Sequence, residues 1–352
     1  MGRCRRVADT GLPPSSRPVP RNGNVLCRDP AWPRSLGGMN EYDVVVVGGG
    51  AAGLSAALVL TRARRRVAVI DAGRPRNAPA AHMHGYLSRD GMPPADFLAA
   101  GRAEIKGYGG ELLDGTVTAI TPRSAGFRVG LASGGVIGTR RVLVATGLRD
   151  EIPAIPGLAD RWGRDVLHCP YCHGFEVRDR PLGVLGGSPE TVRHALLIRQ
   201  WSADVTFFAH THELSNDDRQ RLKARDIRVV EGVVTRLIIE GDRLAGIELD
   251  RASVVAPYAL FVRPRLVPTD ALLTGLGAVL TDERTGRTTV PGVWAAGNAV
   301  DPRAQVITAA GAGSAAAIDI NADLVEEDVR DALPFSAAQE RQVAALVNRL
   351  PL

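Results

Sequence analysis

Two stretches of the chain share one plan of apolar and polar positions. Residues 42–73, YDVVVVGGGAAGLSAALVLTRARRRVAVIDAG, open on an unbroken apolar run and pass through a glycine cluster. They continue with apolar positions at helical spacing and close on a second apolar run that ends in an acid. Residues 180–210, RPLGVLGGSPETVRHALLIRQWSADVTFFAH, repeat the order of strand, glycine turn, helix and strand. Continuous Val/Ile/Leu runs suit parallel strands buried on both faces, and each stretch has the length of a βαβ unit. The pattern predicts an α/β protein with two Rossmann-like dinucleotide-binding domains.

The first unit is complete. Gly48, Gly50 and Gly53 form G-x-G-x-x-G directly after the strand Val44–Val47, with a helix expected from Leu54. In this fingerprint the first glycine permits the tight turn, the second lets backbone approach a pyrophosphate, and the third allows close helix–strand contact. The helix N-terminus offers free N–H groups to phosphate. Asp71 ends the second strand, placed to accept from a ribose. The second unit is eroded. Ser188 stands at the close-approach position, Thr191 replaces a small residue, and Glu190 puts a negative charge where pyrophosphate would sit. No acid or arginine follows the next strand to read a ribose. His210 and His212 there read as solvated surface residues. The fold is expected to persist while nicotinamide binding is doubtful.

Charge narrows the partners. The formal net charge is +5, and Arg3, Arg5, Arg6, Arg17, Arg21, Arg28 and Arg34 against Asp9 and Asp29 place all of it in residues 1–38. The rest is neutral and attracts no polyanion, so no nucleic-acid partner is expected. No apolar run is long enough to span a bilayer, so no membrane partner is expected. Residues 1–38 are rich in Pro, Arg, Gly and Ser, lack apolar periodicity, and carry no secretory h-region. They read as a disordered leader. Met39 directly precedes the first strand and is the expected translation start, which the intact mass of the native protein tests. A capping box at Ser336 and Gln339 opens a C-terminal amphipathic helix with Val343, Val347 and Leu350 on one face. It is expected to pack on its own domain or on a second subunit.

Outside the leader, which holds Cys4 and Cys27, the cysteines are Cys169 and Cys172, in HCPYCHGFE. The letters fit a glutaredoxin-type disulfide, a C-x-x-C-H haem attachment, or a zinc site using His168 or His173. Haem attachment needs export, and the histidines adjacent to the cysteines are poorly spaced for one tetrahedral zinc. The motif's place between two nucleotide units leaves a redox dithiol that exchanges electrons with a flavin. No metal is expected, at this pair or at His82 and His84.

Five stretches in this order, VVVGGGAAGLSAA, VLVATGLRDEIPAIPG, HCPYCHGFEVRDRPLGVLGG, VPGVWAAGNAVDP and AQVITAAGAGSAAA, resemble the low-molecular-weight thioredoxin reductase family of FAD-dependent disulfide oxidoreductases. The resemblance implies that the second domain is inserted in the first. The expected parts are an FAD-binding domain at 39–150 and 265–332, an NAD(P)-binding-like domain with the CxxC at 151–264, and the C-terminal segment 333–352. It implies that FAD is held by Gly48, Gly50, Ala51, Ala52, Gly53, Asp71, Val117, Ala145, Thr146, Gly147, Asn298, Gln305 and Val306. Asn298 stands where family members usually have Asp, and the segment Leu280–Val290 is short for the family. The resemblance makes Cys172 the flavin-facing thiolate and Cys169 the exchange thiol. His173 stands where ordinary reductases carry Asp, and imidazole can both take and return a thiol proton near neutrality. His168 and Glu176 are candidates for tuning that histidine. His173, together with RNAPAAHMHGYL, resembles the branch of dithiol oxidases that close disulfides in gliotoxin- and holomycin-type compounds, where a histidine near the flavin matches His84. These features imply a dithiol oxidase using oxygen, and the other reading is an NAD(P)H-dependent reductase. A flavin-binding sensor without turnover needs no dithiol. The expected substrate is a small dithiol or disulfide or a thioredoxin-like protein, and the expected state is a cytoplasmic homodimer.

Overall fold

The computed structural model describes residues 42–333. The leader and the helix expected after Ser336 lie outside the described residues. The valine run forms the strand Tyr42–Val47, paired in parallel with Val67–Asp71 on one side and Val136–Val144 on the other. It is the centre of a nine-stranded sheet. Val44 and Val46 pack into one cluster with Leu54, Leu60 and Ile320 of the covering helices. Val45 and Val47 face the opposite cluster, with Ile70, Phe127 and Ile137. Burial on both faces explains why the run does not alternate.

Three helices cover the first face, one of them Pro94–Gly107, which contributes Leu98 and Ile105. Ala51–Arg62 follows the glycine turn, and Val306–Ala332, 27 residues long, crosses it. The crossing is close because Gly313 has no side chain: a Cβ there would lie 2.0 Å from the Ala52 carbonyl oxygen. At its far end the long helix is tied to the sheet by ion pairs from Arg140 to Glu327 and from Arg141 to Asp323, both 2.6 Å. The short segment after Leu280 makes a real sheet edge, with Leu280–Asp282 and Arg287–Thr288 pairing as a hairpin beside Val293–Ala295.

The second unit builds its own parallel sheet, in the order Arg228–Val230, Val205–Phe208, Leu182–Leu185, Ala259–Phe261 and Val166–Leu167. A three-stranded antiparallel sheet, Val234–Val255, flanks it. The chain passes between the two sheets through paired antiparallel strands, Leu148–Glu151 outward and Arg265–Pro268 on return. The second Rossmann-like unit is therefore inserted in the first.

Candidate active site

The first glycine turn has the shape its letters require. Gly48 has φ +104°, and a Cβ there would lie 2.5 Å from the Ala145 carbonyl oxygen. A Cβ on Gly53 would meet the Gly48 carbonyl oxygen at 1.9 Å, whereas one on Gly50 would meet nothing within 4 Å. Two glycines thus serve packing, and the open side of the third is a cradle a phosphate can approach. The helix begins at Ala51, three residues before the Leu54 expected from the sequence, so Ala51, Ala52 and Gly53 supply first-turn N–H groups without intrahelical acceptors. Asp71 stands beside the turn, where a Cβ on Gly49 would touch its carboxylate, and it is ion-paired with Arg102. These residues fit the pyrophosphate and ribose of FAD, with Arg102 as a partner of Asp71 that the sequence did not reveal.

The other expected FAD residues gather at the same end of the sheet. Ala145 donates to the Val47 carbonyl at 2.7 Å. A Cβ on Gly147 would lie 3.8 Å from Asn298 Cβ, so the Ala145-Thr146-Gly147 turn faces the Asn298 loop. Val117 begins its strand two residues after Gly115, whose N–H donates to the Asp71 carbonyl at 2.9 Å, and its side chain is buried with Ile70. Asn298 Nδ2 donates to the carbonyls of Asp301 (2.9 Å) and Ala304 (3.1 Å) and closes the loop that leads to Gln305 and Val306. An aspartate cannot make these two donations.

The dithiol meets this loop from the other unit. Cys169 caps the short helix Pro170–His173, with Pro170 at its first position, and the cysteines form a disulfide with Cα atoms 5.2 Å apart. Gln305, the N-cap of the long helix, touches both sulfurs: Oε1 lies 3.3 Å from Cys172 Sγ and Nε2 lies 3.6 Å from Cys169 Sγ. The oxidised pair has no S–H, so the first contact becomes a hydrogen bond only on reduction. Gly174 follows because a Cβ there would press on the Pro170 carbonyl oxygen at 2.5 Å and on the Trp201 ring. Tyr171, between the cysteines, stacks edge-on against Trp201 and is exposed.

Four histidines surround the pair in different states. Both ring nitrogens of His173 are buried without a hydrogen-bond partner among the described residues. Burial holds this imidazole below the usual range, with Glu176 opposing and His84 reinforcing that shift. His168 is turned away: its Nδ1 donates to the Val262 carbonyl at 3.2 Å, and burial lowers its proton affinity. His194 Nε2 donates to the His168 carbonyl at 2.9 Å, and burial pushes it down to about 4. His84 reaches over from the FAD-side unit, with Nδ1 3.2 Å from Asp90 and Nε2 3.5 Å from Glu176. Asp90 also accepts from the Gly85 N–H at 2.8 Å, and that bond with the His84 contact holds its carboxyl below the usual range. Asp90 was not singled out in the sequence; an Asp five residues after Gly85, which has φ +77°, was the available turn signal. Nearby, Arg76 grips Asp150 of the crossing strand with Nη2 at 2.6 Å and Nε at 3.0 Å.

The second glycine turn keeps its backbone and loses its opening. A Cβ on Gly186 would lie 2.4 Å from the Ala209 carbonyl oxygen, so that glycine serves packing. Ser188 bonds the Glu190 carboxylate and holds it below the usual range, which fixes a negative charge at the start of the helix. His210 and His212 differ from the solvated residues expected. His210 Nδ1 accepts from the Val234 N–H at 3.1 Å, and the His212 side chain is largely buried, 3.8 Å from Asp218. Among the described residues no group of three or more His, Cys, Asp or Glu has the arrangement of a metal site. No helix among them is long and apolar enough to cross a membrane.

Residues 42–314 match the family model of the pyridine nucleotide-disulphide oxidoreductases. The thioredoxin reductase sirT of Leptosphaeria maculans is 30% identical over 317 residues, covering 82% of this chain and 96% of that one. A "probable thioredoxin reductase" of Arthroderma benhamiae is 32% identical, and the match spans 57% of this chain and about half of that protein, 54%. The crystal structure of HlmI superposes with a TM-score of 0.82 at 55% identity, covering 88% of this chain and 99% of that one. A match that runs from the first strand into the long helix takes in both glycine turns and the cysteine pair. The chain is thus a thioredoxin reductase-like flavoprotein, with FAD as its cofactor, and belongs to the pyridine nucleotide-disulphide oxidoreductase family.

Proposed function

We propose that the protein passes electrons between a dithiol or disulfide substrate, the Cys169–Cys172 pair and FAD, in the direction of dithiol oxidation with oxygen as the final acceptor. The observation that carries the reading is the contact of both sulfurs with Gln305, at the head of the helix that would border the flavin. Bound there, FAD supplies two-electron chemistry to the pair. Cys169 acts as the exchange thiol and Cys172 as the flavin-facing one. His173, neutral because it is buried, takes or returns a thiol proton. Gly48, Gly50, Ala51, Ala52, Gly53 and Asp71 hold the dinucleotide end of FAD. Thr146, Asn298, Gln305 and Val306 border its flavin end.

The direction rests on the second glycine turn. The Glu190 carboxylate at the start of the helix, beside Ser188 where a glycine would admit a pyrophosphate, disfavours a nicotinamide dinucleotide. The alternative, an NAD(P)H-dependent reductase, is favoured by the intact parallel sheet beneath that turn. Mixing the yellow protein anaerobically with dithiothreitol, and separately with NADPH or NADH, decides between them. Rapid bleaching by the dithiol and slow bleaching by the nicotinamides is the expected result. Rapid bleaching by NADPH with none by dithiol would overturn the oxidase direction. In this reading residues 39–150 and 265–332 form the FAD domain and 151–264 the inserted one. The substrate is a small dithiol or a thioredoxin-like protein, and the protein works as a cytoplasmic homodimer.

A further inference from the structure

A dithiol that becomes a disulfide gives up two electrons and two protons. The disulfide takes the electrons, and the protons need acceptors. The ring nitrogens of His173 are sealed from water, so this imidazole does not meet an entering thiol. The second imidazole within electrostatic reach of it is His84, whose side chain keeps 24% of its exposure. The groups facing His84 are Asp90 on its own loop and Glu176 and His173 on the redox segment. A neutral imidazole donates at one nitrogen only, while imidazolium donates at both. Each ring nitrogen of His84 faces a carboxylate, Asp90 at 3.2 Å and Glu176 at 3.5 Å.

We propose that His84 is the base that takes the first proton from an incoming dithiol and passes it to solvent, with Glu176 and Asp90 as its positioning residues. The inference rests on reading the pair as a centre that dithiols reduce. One substrate thiol gives its proton to His84, and the thiolate attacks Cys169 Sγ. The S–S bond of the pair breaks, and Cys172 leaves as a thiolate. The second substrate thiol gives its proton to the Cys172 thiolate and attacks the substrate sulfur of the mixed disulfide, releasing Cys169 as a thiolate. The substrate has then lost two electrons, the pair has gained two, and His84 holds one proton and Cys172 the other. Exposure separates the two histidines: the ring of His84, which touches water, exports its proton, and the buried ring of His173 serves only the pair. Glu176 is four residues beyond Cys172, whereas His84 belongs to the other unit. The base is therefore assembled only when the two units are docked.

The test uses the FAD-loaded full chain. Anaerobic bleaching by dithiothreitol is followed across pH for wild type, His84→Gln and Glu176→Gln, as is reoxidation of the reduced enzymes by oxidised dithiothreitol. His84→Gln should slow both directions about 100-fold, the lower end for loss of a general base, and flatten the pH dependence. Added imidazole should restore part of the rate to His84→Ala. Glu176→Gln should move the acid limb of the profile to lower pH. The rate at which iodoacetamide alkylates the reduced cysteines should be unchanged in His84→Gln, which separates proton transfer from damage to the site. A His84→Gln rate within about threefold of wild type, against the same expectation of a large loss, would overturn the proposal. So would an unmoved profile in Glu176→Gln. A wild type that reacts with dithiothreitol in neither direction would instead sink the functional reading itself.

Discussion

At the scale of single residues, the two cysteines are distinguished by what lies against them. Cys172 Sγ is the closer sulfur to Gln305, at 3.3 Å from its amide oxygen. Cys169 is the N-cap of the redox helix and lies 3.6 Å from the Gln305 amide nitrogen. A thiolate against oxidised flavin gives a long-wavelength charge-transfer absorbance, and the thiolate is the form that reacts. Cys172→Ser should therefore lose that absorbance after partial reduction, while Cys169→Ser keeps it. A band that persists in Cys172→Ser would exchange the two roles. The types and spacing of these residues were legible in the letters because Pro170 and the short helix are local. Asn298 was not. As a letter it reads as a lost charge, and in the fold it donates to two carbonyls of its own loop. That role depends on the path the chain takes after it, which spacing does not specify.

At the scale of elements, the helix Pro189–Ile198 holds the redox segment from behind. His194 lies inside this helix and donates across to the His168 carbonyl, next to Cys169. Its imidazole is pushed down to about 4, with burial as the first cause and the charge of His168 as the second. An unfolded chain binds this proton with the ordinary affinity, so below about pH 6.5 the unfolded state binds more protons than the folded one. Stability is therefore present above pH 6.5 and declines as pH falls toward 4. Integrated over that shift, moving from neutrality to pH 5 should cost on the order of 2 kcal/mol. Urea denaturation at pH 7 and pH 5 should show the loss, and His194→Gln should show less of it. An equal loss in the variant would place the acid sensitivity elsewhere, among His168, His173 and His210, which burial shifts the same way. Strands and glycine turns were legible because their patterns repeat within about 30 residues, the span of a βαβ unit. The first helix starts at Ala51 because the extended Gly50 is its N-cap; Gly53 then lies inside the first turn, although its low helix propensity makes the letter read as a boundary. The partners of His84, His194 and Arg76 were hidden because each is brought in by another element.

At the scale of the whole molecule, the two units are held together at the site by Gln305 on the sulfurs, His84 beside Glu176, and Arg76 on Asp150. The long helix that starts at Gln305 has two faces of different character. The inner face of the long helix is spent on the core through Ala309, Ala316, Ala317, Ile320 and Leu324. Its outer side carries Ile318, Val325 and Val329, with Leu333 just beyond its end, all exposed to between 43% and 63%. Positions seven and four apart lie on one face of a helix, so these side chains form a stripe rather than a scatter. A contiguous apolar stripe facing water is unfavourable in an isolated subunit. The proposed homodimer resolves it if the stripe packs on a second copy related by a two-fold axis, which brings the same face to both sides. The double variant Val325→Asp with Val329→Asp places two unpartnered charges in such an interface, at several kcal/mol. That cost raises the dissociation constant by more than about 100-fold. Sedimentation equilibrium should give twice the chain mass for wild type and the chain mass for the variant, with the flavin spectrum unchanged. A variant that sediments as the wild type does would remove the stripe from the interface and leave this face to some other contact.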